Sequence, residues 1–136
     1  MDLKQININM EGTLGESLGM KLVKLESGYV EAKMPVDNRT VQPYGRLHGG
    51  ATAALAETLG SVGSHFLVHD QQKGAVGVEI NTNHLRGVKS GFVTGKAKII
   101  HQGGKIHVWN IDVFDEQERL IAVARLTVMI IPIAHG

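Results

Sequence analysis

Alternating apolar and polar residues predict β-strands over most of this chain. In residues 29–36 apolar side chains alternate with charged ones, and a Ser-Gly pair separates this run from residues 21–26. Alternation with period two around such a turn is typical of a β-hairpin with one solvent-facing side. Four further strands are predicted, over residues 75–82, 92–101, 106–114 and 120–131. The last run is almost continuously apolar, which is typical of a central strand buried on both faces.

One segment, residues 48–68, has the period of a helix instead. Its apolar residues recur at three- and four-residue steps and are Ala51, Leu55, Leu59, Val62 and Phe66. Glu57 lies roughly opposite that stripe. The residues that share its side are small: Gly50, Ala53, Ala54, Ser61 and Ser64. Because this face lacks the lysines and glutamates of an ordinary surface helix, we expect a partner to approach it closely and to desolvate Glu57 in part.

Two strands, one long helix and four strands indicate an α+β domain with the helix packed on an antiparallel sheet. At 136 residues and 43% hydrophobic content, the chain is long enough for one core and too short for two. We therefore expect a single domain over residues 1–136. Residues 1–18 are expected to form an irregular or short helical lead-in that covers an edge of the sheet.

The composition excludes several classes of function. The chain has 14 basic and 13 acidic residues, which gives no basic face for a nucleic acid. It has no cysteine, which excludes a disulfide framework, a thiolate metal site and a cysteine nucleophile. No apolar run is long enough to span a membrane, and residues 1–10 lack the apolar centre of a signal peptide. We expect a cytoplasmic protein that binds neither nucleic acid nor membrane.

Residues 42–61 concentrate the candidate chemistry. Gln42 comes first, His48 and Gly49 stand at the predicted start of the helix, and Glu57 and Ser61 follow along it. Backbone N–H groups at a helix N-terminus can polarise a carbonyl oxygen, and a glycine there lets a substrate approach the backbone. Gly49 is therefore the candidate donor, and Glu57 is the lone carboxylate of the segment.

Several motifs match one known family. They are Gln42-Pro43, Leu47-His48-Gly49-Gly50-Ala51, Ala54-Leu55-Ala56-Glu57-Thr58, Glu79-Ile80-Asn81, Asn83-His84 and Phe114-Asp115-Glu116-Gln117. The chain resembles the hotdog-fold acyl-CoA thioesterases, in the branch of bacterial aryl-CoA and 1,4-dihydroxy-2-naphthoyl-CoA hydrolases. The resemblance implies a six-stranded antiparallel sheet wrapped around one long central helix. It also implies hydrolysis of acyl-CoA thioesters to free acid and CoA, with aromatic or short to medium acyl groups.

The resemblance also implies a role for each residue of the segment. The amide matching Gly49 faces the thioester oxygen, with Gln42 nearby and His48 as a supporting contact. Glu57 acts as general base or as nucleophile, and Ser61 lies one turn beyond it. Simpler interpretations remain: Glu57 as a solvated carboxylate, His48 as a helix cap, and Ser61 as a small residue that permits close packing.

The spacing of two of these residues adds a constraint. Gly49 and Glu57 are eight residues apart, which places them about 12 Å apart along a helix axis. One thioester cannot contact both within a single subunit. The resemblance implies a homodimer with continuous sheets and antiparallel helices, so that Glu57 of one copy faces Gly49 of the other. Relatives often pair further into a homotetramer.

Two stretches are candidates for binding the CoA portion. His84, Arg86 and the nearby Lys89 form the first, and similar enzymes contact the nucleotide at the positions of His84 and Arg86. The second is a predicted hairpin turn, because glycine amides beside a lysine can hold an anion; a solvated basic loop is the alternative. Some relatives have a basic residue at the position of Gly104. The turn residues are His101, Gly103, Gly104 and Lys105, and Gly77, Val62 and Ser64 complete the candidate substrate-binding set.

No metal or organic cofactor is expected. The other histidines show no ligand spacing with carboxylates; they are His65, His69, His101, His107 and His135. Asp37 is interpreted as a turn residue after Pro-Val, not as a second catalytic carboxylate. Two other functions were weighed. A hydratase or dehydratase would need an Asp and His pair at the helix mouth, and a non-catalytic acyl-CoA sensor would lose the carboxylate.

Overall fold

The computed structural model describes residues 10–133. Its elements follow the predicted order, with a one-turn helix α1 (Leu14–Ser17) added at the start. The long helix α2 (Gly49–Val68) continues into a 3-10 turn (His69–Gln71). The strands are β1 (Lys21–Glu26), β2 (Tyr29–Pro35), β3 (Lys73–His84), β4 (Phe92–Gln102), β5 (Ile106–Phe114) and β6 (Leu120–Pro132).

The six strands form one antiparallel sheet in the order β1-β2-β4-β5-β6-β3. Helix α2 packs against one face of this sheet, where it contacts β2, β3, β4, β5 and β6. The chain therefore crosses through α2 from the β1-β2 hairpin at one edge to β3 at the opposite edge. This architecture confirms the predicted α+β fold of a sheet around one long helix.

The core lies between α2 and the sheet. Every second side chain of β5 is buried, and Trp109, Ile111 and Val113 are fully covered. They belong to one cluster with Leu55 and Leu59 of the helix, which are also fully buried. Each such side chain stabilises the fold by about 1.5–3 kcal/mol relative to exposure. The period of two in β5 and the apolar stripe of α2 therefore meet as predicted.

Two helix glycines permit the close approach of helix and sheet. A Cβ atom at Gly60 would lie 2.5 Å from the Leu126 side chain, and one at Gly63 would overlap the indole ring of Trp109. Protein interiors leave no room for such an added group. The glycines of α2 are thus used where the helix backbone rests directly on large core side chains.

Strand β6 differs from the expectation that both of its faces are buried. It lies inside the sheet, between β5 and β3. Ala124, Leu126 and Val128 are buried on its helix-facing side, whereas Arg125 is exposed and Met129 is 42% exposed on the other. The expectation was wrong for the described chain, because α2 covers only one face of the sheet.

The two edges of the sheet have different properties. Strand β1 is six residues long and has a bulge between Leu22 and Lys24, and short, irregular, charged edges resist pairing with other strands. Strand β3 is twelve residues long, and its Val76 and Val78 are 44% and 54% exposed. A long edge with exposed apolar side chains is a template for another strand.

In the described part of the lead-in, helix α1 contacts α2. The Thr13 side chain caps α1 by accepting a hydrogen bond from the Glu16 N–H, and Gly19, at φ +75°, redirects the chain into β1. The described part of the lead-in therefore lies beside the helix face that carries Glu57.

Candidate active site

The loop before α2 holds the N-terminus of the helix in place. The N–H of His48 donates to the Thr40 carbonyl at 2.8 Å, and the N–H of Leu47 donates to the Val88 carbonyl at 2.8 Å. The ring Nδ1 of His48 accepts a hydrogen bond from the Gly50 N–H at 2.7 Å. Side-chain acceptors at this position satisfy otherwise unpaired helix N–H groups. His48 is therefore a helix cap, as the simpler interpretation had it.

Gly49 is the first residue of α2, and its amide is open. Within residues 10–133 its N–H makes no hydrogen bond. The His84 ring stands directly beside it, so that a Cβ at Gly49 would be 2.8 Å from Nε2 of His84. The fold thus brings together two residues that are thirty-five positions apart in sequence. The free N–H and the positive end of the helix dipole suit a developing oxyanion.

Gln42 lies in the turn that leads to this helix mouth. Its N–H donates to the Arg46 carbonyl at 2.8 Å, and its own carbonyl accepts from the Gly45 N–H at 2.9 Å. Gly45 takes φ +79°, a conformation that favours glycine. The side-chain oxygen of Gln42 accepts a hydrogen bond from the Tyr44 N–H. Its amide NH₂ group has no acceptor among the described residues and remains available to a ligand.

Glu57 lies on the open face of α2 and is exposed. Its carboxylate stands over Gly77 of β3, where a Cβ would be 3.0 Å from Oε2. In the part of the chain that the structure describes, the carboxylate has no hydrogen-bond or ion-pair partner. Gly77 therefore makes room for an acidic side chain that is not engaged elsewhere.

A cavity of about 560 Å³ surrounds this carboxylate. The open face of α2 forms one side of it, and the lead-in forms the other. Its lining residues are Met10, Thr13, Leu14, Gly15, Gly50, Ala53, Ala54, Glu57, Thr58, Ser61 and Val62. Ser61 and Val62, both predicted to bind substrate or take part in the reaction, are thus in the same cavity as Glu57.

Ser64 was expected on the same open face, and that expectation was wrong. Its side chain is completely buried. The Trp109 Nε1–H donates to Ser64 Oγ at 2.8 Å, and Nδ1 of His107 lies 2.8 Å from the same oxygen. Strands in a sheet are twisted, so the helix face that they cover shifts along a twenty-residue helix. Near its C-terminal end the covered face includes Ser64.

His107 closes this buried polar cluster and is only 1% exposed. Burial lowers the pKa of the His107 imidazole, and repulsion from His101 acts in the same direction, against a hydrogen bond to the backbone of Gly103. The neutral form is therefore favoured, and it leaves one ring nitrogen to accept and one to donate.

The first CoA candidate lies at the mouth of α2. His84 ends β3 beside Gly49, and the Arg86 N–H donates to the Ile121 carbonyl at 3.2 Å. Lys89 lines a separate polar cavity of about 450 Å³ together with Arg46. The structure thus brings Gly49, His84, Arg86 and Lys89 to one end of the sheet, as a shared CoA site would require.

The hairpin turn between β4 and β5 lies at the other end. Phe92 of β4 pairs with Pro35 near the helix mouth, whereas Gln102 pairs with His107 at the far end of the same strands. The Gly103 N–H donates to the Ile106 carbonyl at 2.8 Å. The amide of Gly103 is therefore not free for an anion, which corrects that part of the prediction. A single chain does not bring the residues of this turn, His101, Gly103, Gly104 and Lys105, to the first candidate.

Other sequence interpretations can be compared with the structure. Asp37 is a turn residue: it pairs with Arg39 at 2.6 Å, and that hydrogen bond lowers the pKa of its carboxyl. Among residues 10–133 no three His, Asp or Glu side chains are grouped to hold a metal ion, and His135 lies outside them. No helix in the described chain is long and apolar enough to cross a membrane.

Sequence reasoning missed the part of the cavity that the lead-in builds. Met10, Leu14 and Gly15 line the cavity of Glu57, although they were given no function. A signal was present, because Thr13 followed by Glu16 three residues later is the pattern of a helix start. This pattern predicts a short helix but does not show which part of the fold the helix contacts. Arg46, in the polar cavity beside Lys89, was missed for the same reason.

Comparisons with known proteins identify the family of the chain. The model of the Thioesterase superfamily matches residues 44–122. The 1,4-dihydroxy-2-naphthoyl-CoA hydrolase of Escherichia coli is 43% identical over 129 residues, covering 95% of this chain and 94% of that protein. Proofreading thioesterase EntH of Cronobacter turicensis is 45% identical over 127 residues, covering 93% and 92%. The crystal structure of a thioesterase from Haemophilus influenzae has a TM-score of 0.94 at 40% identity, covering 100% and 94%.

The matched residues 44–122 contain the helix mouth, Glu57 and strand β3. The similarity to the relatives extends over almost the whole chain, and the similarity in structure extends over the entire sheet and helix. The resemblance seen in the motifs is thereby confirmed. The chain belongs to the Thioesterase superfamily and is a thioester hydrolase with the hotdog fold.

Proposed function

We propose that this chain hydrolyses acyl-CoA thioesters to free acid and CoA, with aromatic or short to medium acyl groups as substrates. The observation that carries the proposal is the Glu57 carboxylate, which has no partner in residues 10–133 and lies in a cavity on a helix whose first amide makes no hydrogen bond there. The similarity to the 1,4-dihydroxy-2-naphthoyl-CoA hydrolase of Escherichia coli makes 1,4-dihydroxy-2-naphthoyl-CoA a specific candidate. We expect the enzyme in the cytoplasm.

The residues divide the reaction between them. The Gly49 amide, assisted by the Gln42 side chain, polarises the thioester carbonyl, and the capping contact of His48 keeps that amide in place. As general base, Glu57 takes a proton from water while the water oxygen adds to the carbonyl carbon. The C–S bond then breaks, and the proton passes to the CoA sulfur. As nucleophile, the Glu57 carboxylate would add to the carbonyl carbon and expel CoA thiolate, and water would then cleave the resulting mixed anhydride to the free acid and Glu57. Ser61 lies in the same cavity, one turn beyond the carboxylate.

In this proposal the two halves of each active site come from different copies of the chain. Gly49 and Glu57 are on the same helix, about 12 Å apart along its axis. The long β3 edge, with Val76 and Val78 exposed, supports pairing with the β3 edge of a second copy. We propose a homodimer in which each site uses Glu57 of one copy and Gly49 of the other, and two such dimers forming a tetramer.

The reaction is tested by release of free thiol from a panel of aromatic and straight-chain acyl-CoA esters. Wild type is expected to release thiol, and Glu57→Ala is expected to do so far more slowly. Equal rates for the two proteins would remove Glu57 from the mechanism. Tight binding of acyl-CoA without any turnover would favour the non-catalytic sensor instead.

The shared site is tested with mixed dimers of Gly49→Val and Glu57→Ala chains. Each variant alone lacks one half of both sites, whereas one site of the mixed dimer contains both intact halves. We expect up to half of the wild-type activity per mixed dimer. A mixed dimer that is as inactive as its two parents, at matched dimer content by sedimentation, would contradict the shared site.

A further inference from the structure

The lead-in forms a wall of the cavity that contains Glu57. Four of its residues, Met10, Thr13, Leu14 and Gly15, face the open side of α2 across that cavity. Leu14 is 60% exposed, which is a high value for a large apolar side chain. Part of its surface lines the cavity of Glu57, where an apolar ligand would cover it.

Local hydrogen bonds hold this wall in position. Thr13 caps α1, and the Glu16 carboxylate accepts a hydrogen bond from the Gly12 N–H. The Met20 N–H donates to the Gly15 carbonyl at 2.9 Å, which ties the end of the turn to the start of β1. The backbone that carries Leu14 is therefore fixed without the help of a ligand.

Gly15 has a specific function in this wall. A Cβ at Gly15 would lie 2.5 Å from the terminal methyl group of Met10. The absence of a side chain at Gly15 thus lets the Met10 thioether lie across the turn and face the cavity. Methionine is flexible and adapts to ligands of different shape.

The cavity surface beside the carboxylate is mostly apolar, because two of its three hydroxyl groups are used in local hydrogen bonds. The Thr58 hydroxyl donates to the Ala54 carbonyl at 2.7 Å, and the Thr13 hydroxyl donates to the Met10 carbonyl. Ser61 is the only cavity hydroxyl without a partner among the described residues. Leu14, Met10 and Val62 then offer an apolar surface next to the carboxylate. This chemistry fits an apolar acyl group and not a charged one.

We infer that Met10 and Leu14 of the lead-in form the acyl-group wall of the site and determine which acyl groups are hydrolysed. The inference rests on the proposed function, because it places the acyl group in the cavity of Glu57. Leu14 is a specificity-determining residue in this arrangement, and it takes no part in the bond-breaking steps. In the proposed dimer the CoA portion lies toward the helix mouth of the other copy and does not contact Leu14.

The test compares kcat/KM for 2-naphthoyl-CoA with that for acetyl-CoA in wild type, Leu14→Ala and Leu14→Trp. Leu14→Trp fills the cavity and is expected to lower the naphthoyl to acetyl ratio by about tenfold or more, because a few methylene groups of contact have effects of that size. Leu14→Ala enlarges the cavity and is expected to raise kcat/KM for dodecanoyl-CoA, whose acyl group is larger than naphthoyl, relative to kcat/KM for acetyl-CoA. Met10→Ala is expected to raise the same dodecanoyl to acetyl ratio.

Val23→Trp and Val23→Ala are the matched controls. Val23 is 41% exposed on β1 and is not among the residues that line the cavity of Glu57. These variants are expected to keep the wild-type ratio. Inhibition by free CoA is expected to be unchanged in every Leu14 variant, since CoA has no acyl group.

The acyl-wall inference would be overturned if the Leu14 variants kept the wild-type ratio of kcat/KM for 2-naphthoyl-CoA and acetyl-CoA, or lost activity equally on all acyl groups. The proposed hydrolysis would not be affected by that result. If wild type and both Val23 variants release no thiol from any acyl-CoA, the proposed function fails, and the acyl wall fails with it.

Discussion

Both faces of helix α2 contain small residues such as glycine and serine, but these residues have different roles on the two faces. On the covered face, Gly63 rests on Trp109, and the Ser64 hydroxyl bonds both Trp109 and His107. On the open face, Glu57 stands over Gly77 without a partner in residues 10–133. The covered face therefore provides stability, whereas the open face carries the proposed catalytic carboxylate. The role of a serine or glycine in this helix therefore depends on the face on which it lies.

The largest expected effect is on the open face. Glu57→Gln keeps the shape of the side chain but removes its charge, and we expect kcat for thiol release to fall by about 10²–10⁴-fold. The thermal midpoint should hardly change, because the side chain is exposed. Glu26→Gln, at an exposed carboxylate of β1, is the control and should match wild type in both measurements. A large loss of stability in Glu57→Gln would show that the open face is also structural.

The next effect belongs to the covered face. Ser64→Ala leaves the Trp109 N–H and the His107 ring without their buried partner, which is expected to cost about 1–3 kcal/mol of the free energy of unfolding. Ser61→Ala, three residues earlier but in the open cavity, should change it by less than about 0.5 kcal/mol. Urea unfolding curves measure both. An equal loss of unfolding free energy in Ser64→Ala and Ser61→Ala would contradict the difference between the two faces.

A smaller effect is expected from Gly63→Ala. The new methyl group would overlap the Trp109 ring, and overpacking of this kind costs about 1–3 kcal/mol. Alanine also favours a helix by up to about 1 kcal/mol over glycine, so the net loss is of the order of 1 kcal/mol. Gly104→Ala adds a Cβ with no atom within 4 Å and serves as the control. Stabilisation by Gly63→Ala would mean that the indole can move away.

The smallest effect concerns pH. Burial lowers the pKa of His107 below its usual value of 6.5, so the unfolded chain takes up a proton at a higher pH than the folded chain. Above that value both states are neutral at this residue, and stability should fall as the pH drops below about 6.5. Urea midpoints at pH about 7.5 and about 5.5 measure the change, and His107→Gln should show a smaller one. An identical pH dependence in both proteins would exclude His107 as its source.

Much of the fold could be predicted because its signals are local. The period of two in β5 and the stripe that contains Leu55 and Leu59 were enough to identify a strand and a helix, and both meet in the core. The position of Glu57 opposite the stripe also followed from 3.6 residues per turn. His48 and Gly49 were placed at the helix start because a glycine-rich turn precedes the first helical residues.

The surroundings of other residues could not be predicted, because they depend on which distant segment of the chain packs against each residue. Ser64 follows Glu57 by nearly two full turns and so shares its side on an ideal helix, yet the twisted sheet covers it. The Gly103 amide was counted as free, but the hairpin uses it for the Ile106 carbonyl. Leu14 showed no pattern of its own and gained a function only through the cavity that it faces.

The sequence by itself determined the order of strands and helix, the helix mouth at Gly49 and the lone carboxylate eight residues later. These features depend on residue type and on spacing along one chain, which set backbone geometry directly. Only the tertiary structure decided which helix face is covered, that Gly77 makes room for Glu57, and that the lead-in walls the same cavity. Those outcomes depend on contacts between distant segments, and sheet twist and the course of the chain set such contacts.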